Sequence, residues 1–329
     1  RTEPMCNHFG VCGGCKWQNM NYQSQLTYKQ KQVRDNLERI AKADCSKMMY
    51  ILPSAIQKEY RNKLEFTFST KSWKQDYDKD AIDNGAFGFH VPGFFDKVLE
   101  IDYCALQSEP SNAIRNHLRD YCSKRSLPYY NIREHSGLMR NLIVRTSTTG
   151  DVMVIVVFAQ RSEEIVPLLE NLRENFPQIT SLMYCINEKF NDTLGDQDIK
   201  CFAGKDHIEE RMTSFDGKGE LRFKIRPKTF YQTNSLQAEK LYHQAAEFAG
   251  ITKDDIVYDL YTGCGTIANY VASLSKKVVG IEYVEDAVED ARLNSEFNNI
   301  NNTTFFAGDM AKILTEEFIE QNGRPDVII

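Results

Sequence analysis

From about residue 236 to the end of the chain, apolar runs and amphipathic segments alternate strictly. A helical pattern over 236–249 leads to a strand at 256–260, a glycine turn and a helix. A strand at 277–281, a helix from Asp286, a strand at 303–307, another helix and a strand at 325–329 follow. Strands separated by helix-length segments cannot be joined as hairpins. They predict β-α-β crossovers and hence an α/β, doubly wound parallel sheet of Rossmann-like form.

Such a sheet binds ligands at the carboxyl ends of its strands. The strand at 256–260 runs there into Tyr261-Thr262-Gly263-Cys264-Gly265-Thr266-Ile267-Ala268. Residues without a Cβ let a ligand approach the backbone. Two ligand classes fit. Gly263-x-Gly265-x-x-Ala268 satisfies a loose dinucleotide fingerprint, and Asp259 through Gly265 fits the first motif of S-adenosylmethionine (SAM) methyltransferases. Glu282, at the end of the second strand, suits ribose hydroxyls in either class. Asp259 before the loop, and Gly308-Asp309 after the third strand, favour SAM, with Asp309 near the adenine. Cys264 reads as a small loop residue rather than a nucleophile.

The remainder of the chain has another character. Residues 21–41 read as a helix, with Leu26, Val33, Leu37 and Ile40 on one stripe and Lys29, Lys31 and Arg34 off it. Strands are expected near 64–69, 87–90 and 97–101, with an exposed polar insert over 71–84 and a helix over 109–123. A hairpin is expected from 142–145 and 152–158, then a helix around 162–175 and a strand at 181–187. Mixed signals of this kind predict an α+β region. Three segments result: 1–48, with a cysteine loop and a basic helix; 49–217, a central α+β domain; and 218–329, the nucleotide-binding sheet.

The chain of 329 residues is 42% hydrophobic and 26% charged, which suits a water-soluble protein. No apolar run reaches the length of a membrane span. The opening residues lack a leader pattern, so the cytoplasm is the expected location. Net charge is −6, yet residues 1–70 hold eleven Lys/Arg against six Asp/Glu, while 251–329 hold six against fourteen. The basic front half suits a polyanion.

Nine cysteines without a leader argue against a disulfide framework. Three fall in Cys6-Asn-His-Phe-Gly-Val-Cys12-Gly-Gly-Cys15, where glycines let the backbone curl so that the sulfurs point to one centre. A [4Fe–4S] cluster takes four thiolates and structural zinc takes four Cys or His. Cys104, at a turn between a strand-like and a helix-like run, is the candidate fourth ligand. His8 competes with it if the metal is zinc.

Together these stretches resemble the RNA (uracil-5-)-methyltransferase family, in particular its iron–sulfur branch that acts on 23S rRNA. The resemblance spans nearly the whole chain. It is carried by CNHFGVCGGCKWQ (6–18), YRNKLEF (60–66), FYQTN (230–234), YDLYTGCGTI (258–267) and VGIEY (279–283). It implies that Cys6, Cys12, Cys15 and Cys104 hold a [4Fe–4S] cluster and that Gln232 meets the methionine part of SAM. It further implies that Tyr261, Gly263 and Thr266 wrap the cofactor, that Glu282 holds the ribose, and that Asp309 lies near adenine. Arg61, Lys63 and Arg140 become RNA contacts. The expected partner is a single-stranded or loop uridine of 23S rRNA, and the expected state a monomer.

The chemistry implied is methylation of uracil C5. A cysteine thiolate adds to C6, the resulting enolate takes the methyl group, and a base removes the C5 proton as the thiolate leaves. The family's nucleophilic Cys and basic Glu follow the strand matched by 325–329, so both are expected after Ile329, in a longer protein. The rival readings are a non-catalytic RNA-binding protein with a structural metal, and a nicotinamide-dependent oxidoreductase.

Overall fold

Asn21 begins the first helix: its side-chain oxygen accepts the Ser24 amide at 2.8 Å, satisfying a donor that the first turn leaves unpaired. In the computed structural model, which describes residues 1–74 and 83–329, this helix is α1 (Tyr22–Arg39). It belongs to a compact unit of Arg1–Glu59 and Phe66–Arg140, while Tyr60–Glu65 and Asn141–Ile329 form a second. Of the expected apolar stripe only Leu26 is buried; Val33, Leu37 and Ile40 are exposed. The side-chain hydrogen bonds with residues 49–54 fall on the first half of the helix. Ser54 N donates to Tyr22 Oη at 2.7 Å, and Gln30 exchanges hydrogen bonds with Met49 O and Ile51 N.

Next come β1 (Lys63–Ser69), β2 (Ala86–His90) and β3 (Val98–Glu100), in the order β3-β2-β1 and antiparallel. Alternation in β1 sends Leu64, Phe66 and Phe68 inward, and Phe68 stacks on Phe87 with centroids 3.7 Å apart. Of the polar insert, residues 75–82 lie outside the described residues. α2 (Ser111–Lys124) buries Ile114, Leu118 and Cys122, and its Arg115 lies with the guanidinium over Phe66.

The second unit takes up most of β4 (Met139–Thr146), followed by β5 (Val152–Phe158). Both are buried along almost their whole length. α3 (Ile165–Asn175) crosses over to β6 (Ser181–Ile186), parallel to β5, and β7 (Ile199–Gly204) is antiparallel to β6. β8 (Ile208–Thr213) and β9 (Glu220–Ile225) form a separate hairpin.

α4 (Ser235–Ala249), capped by Asn234 and ended by Gly250 in the left-handed region, opens the parallel sheet. The run is β10 (Ile256–Leu260), α5 (Thr266–Ala272), β11 (Lys277–Glu282), α6 (Glu285–Phe297), β12 (Thr303–Ala307), α7 (Met310–Ile313), α8 (Glu316–Asn322) and β13 (Val327–Ile328). All four strands are parallel, in the order β12-β11-β10-β13. The chain therefore starts in the middle and leaves in both directions, which creates a switch point beside β10. Val257, Ala268, Val271, Val278, Val288 and Ala291 fill the core beneath it.

Candidate cofactor site and cysteine loop

β10 delivers Asp259 to the start of the glycine turn. Its carboxylate points inward, accepting the Thr262 hydroxyl at 2.6 Å and the Ala268 amide at 2.9 Å. One oxygen thus ties both ends of the turn together. Burial pushes this carboxyl up to about 6, against the pull of its two hydrogen bonds. Asp259 shapes the loop and does not face a ligand.

The turn itself needs left-handed backbone. Tyr261, Gly263 and Gly265 have φ of 65°, 55° and 77°. A Cβ on Gly265 would fall 2.9 Å from Ala291 Cβ, so its absence lets α6 approach. Gly263 has open space around it, and its amide donates to Glu282 Oε2 at 3.1 Å. The other Glu282 oxygen accepts from Val284 N at 2.9 Å. Glu282 is thus held by two amides at the edge of the loop. Gly308 N donates to Glu282 O at 2.8 Å, which brings the Gly308-Asp309 turn alongside. Asp309 caps α7 by accepting from Ala311 N. Tyr261 is exposed, whereas Thr266 is buried with its hydroxyl 3.3 Å from Cys264 Sγ.

The FYQTN segment joins this loop through Cys264, whose thiol donates to Phe230 O at 3.4 Å. Burial pushes that thiol up to about 11, which makes it a staple rather than a nucleophile. The Gln232 side chain meets the Tyr242 hydroxyl, and its carbonyl accepts Asn62 Nδ2 at 2.8 Å. The structure therefore joins Gly263, Glu282 and the Gly308-Asp309 turn at the ends of β10, β11 and β12, and Cys264 ties the FYQTN segment to the same loop.

Asn62 is a residue that sequence reasoning passed over, although it lies between Arg61 and Lys63. Its Nδ2 also donates to Ser235 Oγ at 2.9 Å, and Ser235 in turn donates to Glu210 Oε2 at 2.6 Å. Glu210, only 1% exposed, further accepts from Thr148 N, the Thr148 hydroxyl and Arg211 N. The Asn62 amide donates to Thr233 O at 2.8 Å. A network running from the exposed Gln232 carbonyl to the buried Glu210 thus ties the Gln232 segment to the stretch that carries Arg61 and Lys63. Asp290, joined to Thr229 and Arg226, fixes the residues just before it.

Burial and the nearby Arg145 hold the Lys63 ammonium below its ordinary pKa, with Arg61 adding to the effect. Arg145 is buried and donates to the Arg226 and Pro227 carbonyls at 3.1 and 3.2 Å. Glu65, on the same strand as Lys63, opposes this shift. Arg140 departs from expectation. It is 2% exposed, with its guanidinium 4.2 Å from the Tyr130 ring centroid. A cation enclosed against a ring stabilises the fold and does not reach a phosphate.

In the first unit all four expected ligand cysteines are free thiols. Burial raises the Cys104 and Cys12 thiols above their ordinary pKa, and each also feels the other cysteines of the group. Gly10 and Gly13 take left-handed φ, and Gly14 N donates to Cys12 Sγ at 3.5 Å. Asn112 holds both backbone polar groups of Cys104, and its Oδ1 also accepts from the buried Arg115. Cysteine sulfurs are the donors that an iron–sulfur cluster takes, while burial by itself favours their neutral form. The side chains are not drawn into a finished cage: among the described residues no group of three or more His, Cys, Asp or Glu is placed to hold an ion.

The methyltransferase-domain family matches residues 251–329. A protein of Bacteroides thetaiotaomicron described as an uncharacterized RNA methyltransferase is 52% identical across the whole of this chain and 73% of its own length. The chain belongs to the RNA methyltransferases. Proteins of Porphyromonas gingivalis and Chlorobaculum tepidum with the same description are 50% and 38% identical, with 72% and 69% of their lengths covered. The fold of this RNA methyltransferase is shared with the Pyrococcus abyssi tRNA (uracil-54, C5)-methyltransferase, solved with S-adenosyl-L-homocysteine. That likeness has a TM-score of 0.69 and 24% identity, over 96% of this chain and 74% of the other. Among the described residues no helix is long and apolar enough to cross a membrane.

Proposed function

We propose that this RNA methyltransferase moves the methyl group of SAM to C5 of a uridine in 23S rRNA. The observation that carries the reading is the glycine turn at the end of β10, where the Gly263 amide holds Glu282 and Cys264 ties in the FYQTN segment. A carboxylate fixed there suits two ribose hydroxyls. Gln232 suits the amino-acid part of SAM, and Asp309 the adenine. Tyr261 and Thr266 complete the loop. The gathered cations Arg61 and Lys63 suit RNA phosphates.

The chemistry keeps its balance. A thiolate adds to C6, C5 attacks the methyl carbon, and S-adenosylhomocysteine leaves with the sulfur electron pair. A base then takes the C5 proton, and the C6–S bond breaks to restore the uracil. Cys264 is too deeply buried for this part, and the proposed nucleophile and base are a Cys and a Glu outside residues 1–329. The target base must leave its stack to reach the methyl group.

Cys6, Cys12, Cys15 and Cys104 would hold a [4Fe–4S] cluster. When bound, that group would cross-link the cysteine loop to the turn before α2, a structural service rather than a redox step.

The test uses the full-length protein. Calorimetry with SAM and with S-adenosylhomocysteine should register binding of both. Labelled SAM should then place 5-methyluridine in 23S rRNA, with tRNA as the comparison. Absence of heat from both ligands would overturn the cofactor reading. Label at another atom, or in tRNA alone, would overturn the substrate reading.

A further inference from the structure

The turn between β2 and β3 is built from Pro92-Gly93-Phe94-Phe95-Asp96. Tight turns ordinarily carry small or polar residues, because apolar side chains at a tip have no core to enter. Here two consecutive phenylalanines stand at the tip, 41% and 61% exposed. Gly93, at φ 85°, makes the reversal, and Phe94 N donates to Val91 O at 3.1 Å.

Each ring is accompanied by a cation. Lys97 Nζ lies 5.2 Å from the Phe94 centroid and 5.6 Å from that of Trp73, and the two rings are 4.9 Å apart. Arg133 lies 5.0 Å from the Phe95 centroid, oriented by its 2.7 Å bond to the Asp96 carboxylate. Trp73 is fixed in turn, since its amide donates to Val98 O at 2.8 Å. The turn is backed by the cysteine loop: a Cβ on Gly13 would come within 2.2 Å of Pro92 Cγ. The rings therefore stand exposed at the tip, each beside a cation.

A protein partner would call for apolar neighbours, because charged residues are depleted at the centre of such interfaces. Rings alternating with cations suit a strand whose bases stack and whose phosphates are anionic. We propose that Phe94 and Phe95, with Lys97 and Arg133, form a stacking platform for single-stranded RNA flanking the target site. This rests on the RNA substrate of the preceding subsection but not on uridine chemistry.

The test measures binding of a labelled single-stranded oligoribonucleotide without uridine to the full-length protein. Phe94→Leu with Phe95→Leu should weaken binding about tenfold or more, as loss of stacking predicts. Phe95→Trp should hold affinity within about twofold, because a stacking surface is kept. Trp73 fluorescence should be quenched by the RNA, and the response should vanish in Trp73→Phe. Unchanged affinity in the leucine pair, or no quenching, would overturn the platform. If uridine methylation fails while this RNA still binds through the rings, the uridine reading falls and the platform stands. If methylation proceeds with unchanged KM for RNA in the leucine pair, the reverse holds.

Discussion

At the scale of single residues, Asp259 shows how the cofactor loop is built from an unfavourable burial. Its carboxyl is raised from 3.8 to about 6, so the folded chain binds more protons than the unfolded chain between those values. Stability should fall as pH rises through about 4 to 6 and stay level above. Asp259→Asn should remove that slope, read as the urea midpoint against pH; parallel curves for both proteins would refute the assignment. Gly265→Ala tests the close approach. It forces a side chain into left-handed backbone and against Ala291, and should cost about 2–4 kcal/mol of stability. A loss below about 0.5 kcal/mol would show that the contact relaxes freely. Much of this was legible beforehand. A strand, a glycine turn and an acid at the next strand's end are local patterns, and Glu282 and Gly263 do meet. What spacing could not show is that Asp259 turns inward, because only the folded turn places the Thr262 hydroxyl and the Ala268 amide on one oxygen.

At the scale of elements, the parallel sheet was readable because each strand is a short apolar run between helices. The strands β7, β8 and β9 were not. Their inward positions include Glu210, a charge that reads as surface until its four donors are seen. The α1 stripe failed for the opposite reason: periodicity predicts a face, not whether the chain supplies its cover. Asn62 was hidden by distance, since its partners Gln232 and Ser235 lie some 170 residues away. Its clamp yields an element-level prediction. Asn62→Ala leaves the Gln232 carbonyl and the Ser235 hydroxyl oxygen without their Asn62 donor, a loss of about 0.5–1.5 kcal/mol. Because the freed segment carries Gln232, SAM affinity should drop about tenfold, within the range of that loss. Calorimetry decides it: wild-type SAM affinity in a correspondingly destabilised variant would leave Asn62 a purely structural residue.

At the scale of the molecule, basic residues and the cysteine loop sit at the front of the chain and the glycine turn near its end. Arg61 and Lys63 should act through phosphates. Lys63→Gln should therefore weaken RNA binding alike for all sequences and reduce the slope of log affinity against log salt by about one. An unchanged slope would remove Lys63 from the RNA surface.

The cysteine loop sets a stricter condition on the same layout. Cys12 and Cys104 belong to the first compact unit, whereas Gly263, Glu282 and Gln232 belong to the second. Were the cluster part of the chemistry, its loss would be felt at the cofactor. As a structural link it should be felt where the loop backs other elements, at Pro92 and the turn beyond it. Cys12→Ser should accordingly lose the brown colour and broad visible absorption of an iron–sulfur protein and show weaker RNA binding. It should still bind SAM within about twofold of wild type, a difference of under about 0.5 kcal/mol. Colourless wild-type protein containing zinc would replace iron in this account while keeping the thiolates. Loss of SAM binding in folded Cys12→Ser protein would instead mean that the two units are energetically coupled, and the separation of roles would have to be given up.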